Sequence, residues 1–370
     1  GPGDAEIDPA VLHQMPAGVV DDHGVRDAVA AELPGGEPGP LVPSRPGALA
    51  VRPADRGARP GLSAVGRTYR LAPAAGVRAA NQGGGRTMEI RKVGVVGCGQ
   101  MGSGIAEITA RAGIPVVVRE VSEELLEKGL GRIRKSLDRA VSKGKLEEAA
   151  RDEALARISG TVELGDLADC DLVIEAVTED KELKMELFAG LDRLVKPDAI
   201  FCTNTSSLVV TELAMATGRP DRFACLHFFN PVPVMRLVEV VRTILTSEET
   251  FETVFEFARR VGKTPVAAKD NSGFIVNRLL IPYLLDAIRV YEQGLATRED
   301  IDTGMKLGCG HPMGPLELCD FIGLDTMYHV AEIMFAEYRE PRFAPPGLLK
   351  RMVLAGRLGR KTGRGFYDYE

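Results

Sequence analysis

The chain has 370 residues and a formal net charge of -6, with 45% hydrophobic residues, an ordinary globular composition. That length leaves room for two or three domains and a sizeable core. The mild charge, with no basic block and no long apolar run, argues against nucleic acid and membrane as partners. The six cysteines, at positions 98, 170, 202, 225, 309 and 319, show neither a CxxC nor a metal spacing. They read as buried free thiols in a reducing cytoplasm, and no metal site is expected.

Residues 1–87 differ in kind from the rest. Proline, glycine, alanine and arginine dominate, as in Pro34-Gly35-Gly36-Glu37-Pro38-Gly39-Pro40, and phenylalanine is absent. A segment so poor in apolar periodicity cannot offset its ordering entropy, so a disordered or non-native extension is expected. It lacks the basic start and apolar stretch of a signal peptide. Gly1-Pro2 fits a tag-cleavage scar and Met88 fits a natural start. The rival reading is a real disordered tail, or a short element near residues 28–33.

The organising stretch is Lys92 to Gly104, KVGVVGCGQMGSG. Val93 to Val96 has the apolar continuity of a buried parallel strand. Gly97, Cys98, Gly99, Gln100, Met101 and Gly102 then form a GxGxxG, and a helix follows with Ile105, Ile108 and Thr109 on one face. Gly97 permits the tight turn, Gly99 leaves room for a pyrophosphate, and Gly102 lets helix and strand pack closely. The helix N-terminus offers unpaired N–H groups and partial positive charge to the phosphates. A second strand, 114–120, ends in Glu120, about 20 residues past the glycines and placed for a ribose 2′-hydroxyl.

Ser122 is the expected cap of a helix carrying Leu126, Ile133, Leu137 and Val141, with a second helix over 147–158. The pair reads as a helical hairpin inserted in the dinucleotide domain. Its polar face is basic, with Lys128, Arg132, Arg134, Lys135, Arg139, Lys143 and Lys145. Such a face is either solvated and paired along the helix, or a phosphate-binding surface. Strands follow at 171–177, 199–202, 222–229, 237–241 and 265–268, with helices at 178–195 and 248–261. The Thr203-Asn204-Thr205-Ser206-Ser207 run lies at a strand's carboxyl end, where open α/β sheets bind ligands. From Ser272 onward the pattern is helical, at 274–292 with a kink at Pro282, then 298–307, 316–338 and 348–355. Helices apolar on more than one face imply burial against a second subunit.

Two residues point to chemistry. His227 ends an apolar strand aimed at the cofactor crevice and suits proton transfer near neutral pH. Glu239, in the middle of LVEVV, is costly to bury unless paired. His227 on a neighbouring strand is one partner, and a carboxylate behind an imidazole fixes its tautomer. Arg236 and Arg242 are the alternatives.

Seven motifs in order carry a resemblance: VGVVGCGQMGSGIA, DLVIEAVTED, NTSSL, HFFNPVPVMRLVEVV, DNSGFIVNRLL, HPMGPLELCDFIGLD and GRKTGRGFYDY. Over residues 88–370 the chain resembles the short-chain L-3-hydroxyacyl-CoA dehydrogenases, the bacterial 3-hydroxybutyryl-CoA dehydrogenases among them. The resemblance implies an α/β Rossmann-type doubly wound sheet with an inserted helical hairpin, residues 88–269, then an all-α substrate and dimerisation domain, 270–370. It implies NAD as cofactor, an acyl-CoA substrate and a homodimer through the helical domain. His227 matches the catalytic base and Glu239 its orienting acid. Ser206 and Asn277 match the residues that hold the substrate's oxygens, and Ser136 and Lys143 match coenzyme A contacts. Asn230 matches a residue near both nicotinamide and histidine, while Glu179, Lys184, Asn204, Ser206 and Lys361 match further cofactor contacts. Glu120 stands where the family often has aspartate. Arg119 beside it could meet a 2′-phosphate, but the acid repels one, so NAD is expected over NADP. His311 is expected to pack or cap. Two other readings remain open: a dehydrogenase of acyl-carrier-protein thioesters, and a crystallin-like relative without activity.

Truncation at Met88 is expected to leave the melting temperature and the NADH-linked activity nearly unchanged, because the preceding segment has little apolar material to dock. A large drop in either would show that it packs on the enzyme.

Overall fold

A computed structural model of the protein describes residues 87–369. The expected N-terminal extension, Thr87 apart, lies outside the described residues. Eight strands form one sheet: β1 (Val93–Val96), β2 (Val116–Arg119), β3 (Ile158–Thr161), β4 (Leu172–Glu175), β5 (Ile200–Thr203), β6 (Phe223–Phe228), β7 (Leu237–Arg242) and β8 (Thr264–Lys269). Their spatial order is β3-β2-β1-β4-β5-β6-β7-β8. All neighbours run parallel except β6 and β7, which are antiparallel. The order reverses between β1 and β4, which opens a crevice at their carboxyl ends.

Alternate strand residues serve opposite faces, as the period of a strand requires. Val93, Val95, Val118 and Ile174 pack on one face against α1 (Gln100–Arg111), α2 (Glu123–Ser142) and α6 (Glu248–Arg260). Val96, Val117, Val173 and Phe201 pack on the other, under α4 (Lys181–Leu194) and the short α5 (Val210–Ala214). The helix α3 (Glu148–Ala156) pairs with α2 as the expected hairpin, and Ser122 caps α2 by accepting from the Leu125 N–H at 3.3 Å.

The C-terminal domain is helical: α7 (Val276–Glu292), α8 (Arg298–Cys309), α9 (Pro315–Ile322), α10 (Leu324–Tyr338) and α11 (Gly347–Leu354). Its own core gathers Leu284, Ile288, Leu316, Met327 and Phe343. Pro282 lies inside α7.

Three elements differ from the sequence reading. The second hairpin helix stops at Ala156, and the chain enters β3, an edge strand of sequence ISGT that is only half-buried. The helix expected over 316–338 is two helices, broken at Gly323, whose φ of 101° lies outside the helical region. The short α5 had no periodicity long enough to show. Cys98, Cys170, Cys202, Cys225 and Cys319 are buried free thiols, and Cys309 is exposed. Among the described residues no helix is long and apolar enough to cross a membrane.

Phe188 of α4 is fully buried against Phe201 and Phe223, with ring centroids 5.9 and 4.7 Å away. Phe188→Ala should therefore cost about 3–5 kcal/mol of stability, read as a lowered denaturant midpoint. A midpoint like that of the wild type would mean that the α4 face of the sheet can repack around the void.

Candidate active site

The glycine turn follows β1. Gly97 has a φ of 91°, and a Cβ there would stand 2.7 Å from the Ala176 carbonyl oxygen at the end of β4. A Cβ on Gly102 would come within 1.7 Å of the Gly97 carbonyl oxygen, so α1 rests directly on the turn. Those two glycines are required by the protein's own packing. Gly99 is not: a Cβ there would meet nothing within 4 Å. The space over Gly99, beside an α1 N-terminus with no side-chain cap and no acidic residue in its first turn, fits a dinucleotide's pyrophosphate. Gln100 and Met101 form the first turn of α1. Glu120, just past β2, accepts from the Cys98 N–H at 2.5 Å and from the Val121 N–H at 3.1 Å, which sets its carboxylate at the lip of the turn. Arg119 points elsewhere, donating to the Val162 carbonyl at 3.2 Å.

A second network lies at the carboxyl ends of β4, β5 and β6. Glu179 binds the loop after β5: its Oε1 accepts from the Thr205 hydroxyl, from the Ser206 N–H at 3.0 Å and from the Ser207 hydroxyl at 3.3 Å. Lys184, 1% exposed, lies beneath it, 2.6 Å from Glu175 and 3.2 Å from Glu179. Burial works against its charge, but the two carboxylates outweigh this and hold its pKa above the usual lysine range. Its ammonium lies under Glu179, out of water. Burial alone would raise the Glu179 pKa, yet the Lys184 charge and the loop's hydrogen bonds prevail and leave it lowered. Asn204 orients the end of β6 by accepting from the Phe228 N–H at 3.0 Å.

The antiparallel register sets His227 of β6 opposite Glu239 of β7. His227 Nδ1 lies 2.6 Å from Glu239 Oε2. The other oxygen, Oε1, accepts from the Ile275 and Val276 N–H groups at 2.9 and 3.0 Å, at the start of α7. Glu239 is fully buried, and these three donors satisfy it. Arg242, the alternative partner, pairs with Glu248 instead. Phe274, held left-handed at a φ of 46°, lays its ring 5.6 Å from that of His227.

The loop after β5 and the entry to α7 are joined. Asp270 accepts from the Val210 and Thr211 N–H groups at 2.9 and 2.6 Å, Ser272 donates to the Ser207 carbonyl at 2.6 Å, and Asn277 donates to the Ser206 carbonyl at 3.4 Å. His227, Glu239, Ser206, Asn277, Asn204 and Glu179 thus share one constellation. Asn230 is exposed just beyond β6 and precedes Pro231 through a cis peptide bond. Ser136 on α2 lies near the buried Glu107 of α1, and Lys143 is the residue at the C-terminal cap of α2. Lys361 pairs with Asp325 at 2.6 Å on the helical domain and joins neither network. His311 pairs with the Tyr283 hydroxyl at 3.2 Å. Sequence reasoning missed Glu175, although an acid within the apolar run DLVIEAV is the same signal that singled out Glu239. Thr205 stood out only as a member of the polar run 203–207, with no role of its own.

Glu179 is favoured as a carboxylate in the fold, so its contribution is present above the unfolded value of about 4.3 and is lost as pH falls through its lower folded value. Glu179→Gln should lower the melting temperature at neutral pH, and the gap to the wild type should narrow as the solution is acidified. A gap that stays constant would mean that shape, and not charge, holds the loop.

The sequence model of the 3-hydroxyacyl-CoA dehydrogenase NAD binding domain matches residues 92–271, and that of the family's C-terminal domain matches residues 273–369. The chain is 56% identical over 282 residues to a 3-hydroxybutyryl-CoA dehydrogenase of Mycobacterium tuberculosis, covering 76% of this chain and 99% of that protein. It is 47% identical over 291 residues to the mitochondrial hydroxyacyl-coenzyme A dehydrogenase of Homo sapiens, covering 76% and 92%. The crystal structure of (S)-3-hydroxybutyryl-CoA dehydrogenase from Ralstonia eutropha superposes with a TM-score of 0.74 at 48% identity, over 76% of this chain and all of that one. The chain belongs to the 3-hydroxyacyl-CoA dehydrogenase family.

Proposed function

We propose that this protein interconverts short-chain L-3-hydroxyacyl-CoA, 3-hydroxybutyryl-CoA foremost, and the 3-oxoacyl-CoA, with NAD as cofactor. One observation carries the residue roles: His227 and Glu239 form a buried pair at the crevice, beside Ser206 and Asn277. Nδ1–H of the neutral imidazole donates to Glu239, which leaves Nε2 as the acceptor. In oxidation Nε2 takes the proton of the 3-hydroxyl, and Glu239 stabilises the imidazolium that forms. Bound NAD would supply the acceptor for the hydride that leaves C3. Ser206 and Asn277 hold the substrate's hydroxyl and thioester oxygens, and Asn204 and Asn230 flank the nicotinamide. The glycine turn with Glu120 holds the adenosine half, with Glu179, Lys184, Ser206 and Lys361 as further cofactor contacts. Ser136 and Lys143 serve coenzyme A.

The intact pair favours this reading over a non-catalytic relative, and the relatives named for coenzyme A thioesters favour it over a carrier-protein substrate. The roles divide between residues 88–269, which bind NAD, and residues 270–370, which bind substrate and pair subunits. Exposed Leu279 on α7, Leu307 on α8 and Leu354 on α11 support a homodimer through the helical domain. The unpaired cysteines support a reducing, cytoplasmic setting.

Oxidation requires a neutral His227 and reduction a protonated one, so the oxidative rate should rise with pH while the reductive rate falls. His227→Gln should cost about 10²–10⁴ in turnover, with NADH binding retained. Following NADH absorbance with 3-hydroxybutyryl-CoA and acetoacetyl-CoA tests both statements. Near-wild-type turnover in His227→Gln would remove the assigned chemistry and leave the dinucleotide site standing.

A further inference from the structure

The basic face of α2 holds Arg132, which the reading above does not use. Gly129 sets α2 hard against the glycine turn: a Cβ there would lie 2.4 Å from Cys98 Sγ and 2.7 Å from the Cys98 carbonyl oxygen. Three residues on, and therefore on the same side of the helix, Arg132 donates through Nη1 to that carbonyl at 3.2 Å. The N–H of Cys98 is meanwhile bound by Glu120. The residue between the first two glycines is thus gripped at both ends by charged side chains.

We propose that Arg132 is a further cofactor-binding residue of this chain, whose guanidinium takes up part of the negative charge of the dinucleotide's pyrophosphate. The proposal rests on the glycine turn being the pyrophosphate site. Three observations favour it. A guanidinium has five donors, and Cys98 engages one of them. Arg132 is exposed and makes no ion pair among the described residues, whereas Arg134 on the same helix pairs with Glu127 at 3.4 Å. The carbonyl it binds belongs to the residue beside Gly99, over which the structure keeps open space. An unopposed carbonyl oxygen at that point would repel a phosphate; bound to Arg132, it is offset by a full positive charge. Arginine suits the task because its planar fork matches phosphate geometry and is weakly hydrated. Arg119, the arginine that stood out in sequence, is engaged by the Val162 carbonyl.

The test is the equilibrium dissociation constant of NADH, measured by calorimetry on the full chain at low and high salt. Arg132→Gln should weaken NADH about five- to twentyfold at low salt, the usual worth of one charge-assisted hydrogen bond at partial exposure. Its salt dependence should be shallower than that of the wild type, and Arg132→Lys should recover part of the loss. An Arg132→Gln constant within twofold of the wild type, with an unchanged salt slope, overturns the proposal. Glu120→Ala tells the two possible failures apart. If it weakens NADH while Arg132→Gln does not, only the role of Arg132 falls; if neither variant matters, the glycine-turn reading falls with it.

Discussion

The Glu239 carboxylate is shared between the two halves of the molecule, and much of the site depends on that sharing. One oxygen holds the imidazole of His227, and the other holds the first N–H groups of α7. An anion buried without solvent would be expensive, and it is tolerable here only because all three donors are in place. The donors come from a strand and from a helix start, so neither half can shift without exposing the charge to an unsatisfied surround. The positive end of the α7 dipole faces the same carboxylate and adds to its stability. Asn277, two residues into α7, is delivered to the Ser206 loop by this fastening.

The antiparallel step between β6 and β7 makes the arrangement possible. In an antiparallel pair, directly opposed residues bring their side chains close on one face. His227 and Glu239 are such a pair, with the intervening chain confined to the turn and strand ends between them. β1 to β6 run parallel and end at the crevice, which places the glycine turn, Glu179 and the loop after β5 along one edge. Glu179 lies at the centre of that edge, fastened from below by Lys184 and reaching three successive residues of the loop, Thr205 to Ser207.

How legible each part was in sequence follows from how local its cause is. The strand, glycine turn and helix around Gly97 were legible because the positive φ of Gly97 and the approach of Gly102 to the Gly97 carbonyl are both set within one short stretch of chain. The pairing of His227 with Glu239 was legible because a buried acid among valines needs a partner. β3 was not, since an edge strand of Ile, Ser, Gly and Thr has no apolar alternation to display. The break at Gly323 was hidden because the apolar period continues through it, and only the backbone angle reveals the turn. Lys184 is where the motif put it, but its burial under Glu179 is a tertiary fact. The C-terminal motif GRKTGRGFYDY has a similar explanation. Buried Asp320 accepts from the Phe366 and Tyr367 N–H groups and the Tyr369 hydroxyl, so the aspartate in one motif anchors the aromatics of another.

The open space over Gly99 separates two kinds of selection that usually act together. Its φ of -67° is available to any residue, and an added methyl group would touch no protein atom. Nothing in the folding of this chain therefore asks for glycine at that position, whereas Gly97 and Gly102 on either side are demanded by the backbone itself. A library screened for folded protein should accept many side chains at position 99, and the same library screened for NAD-linked turnover of the substrate should accept far fewer. The difference between the two screens, plotted along the chain, would outline the cofactor's footprint with no ligand present.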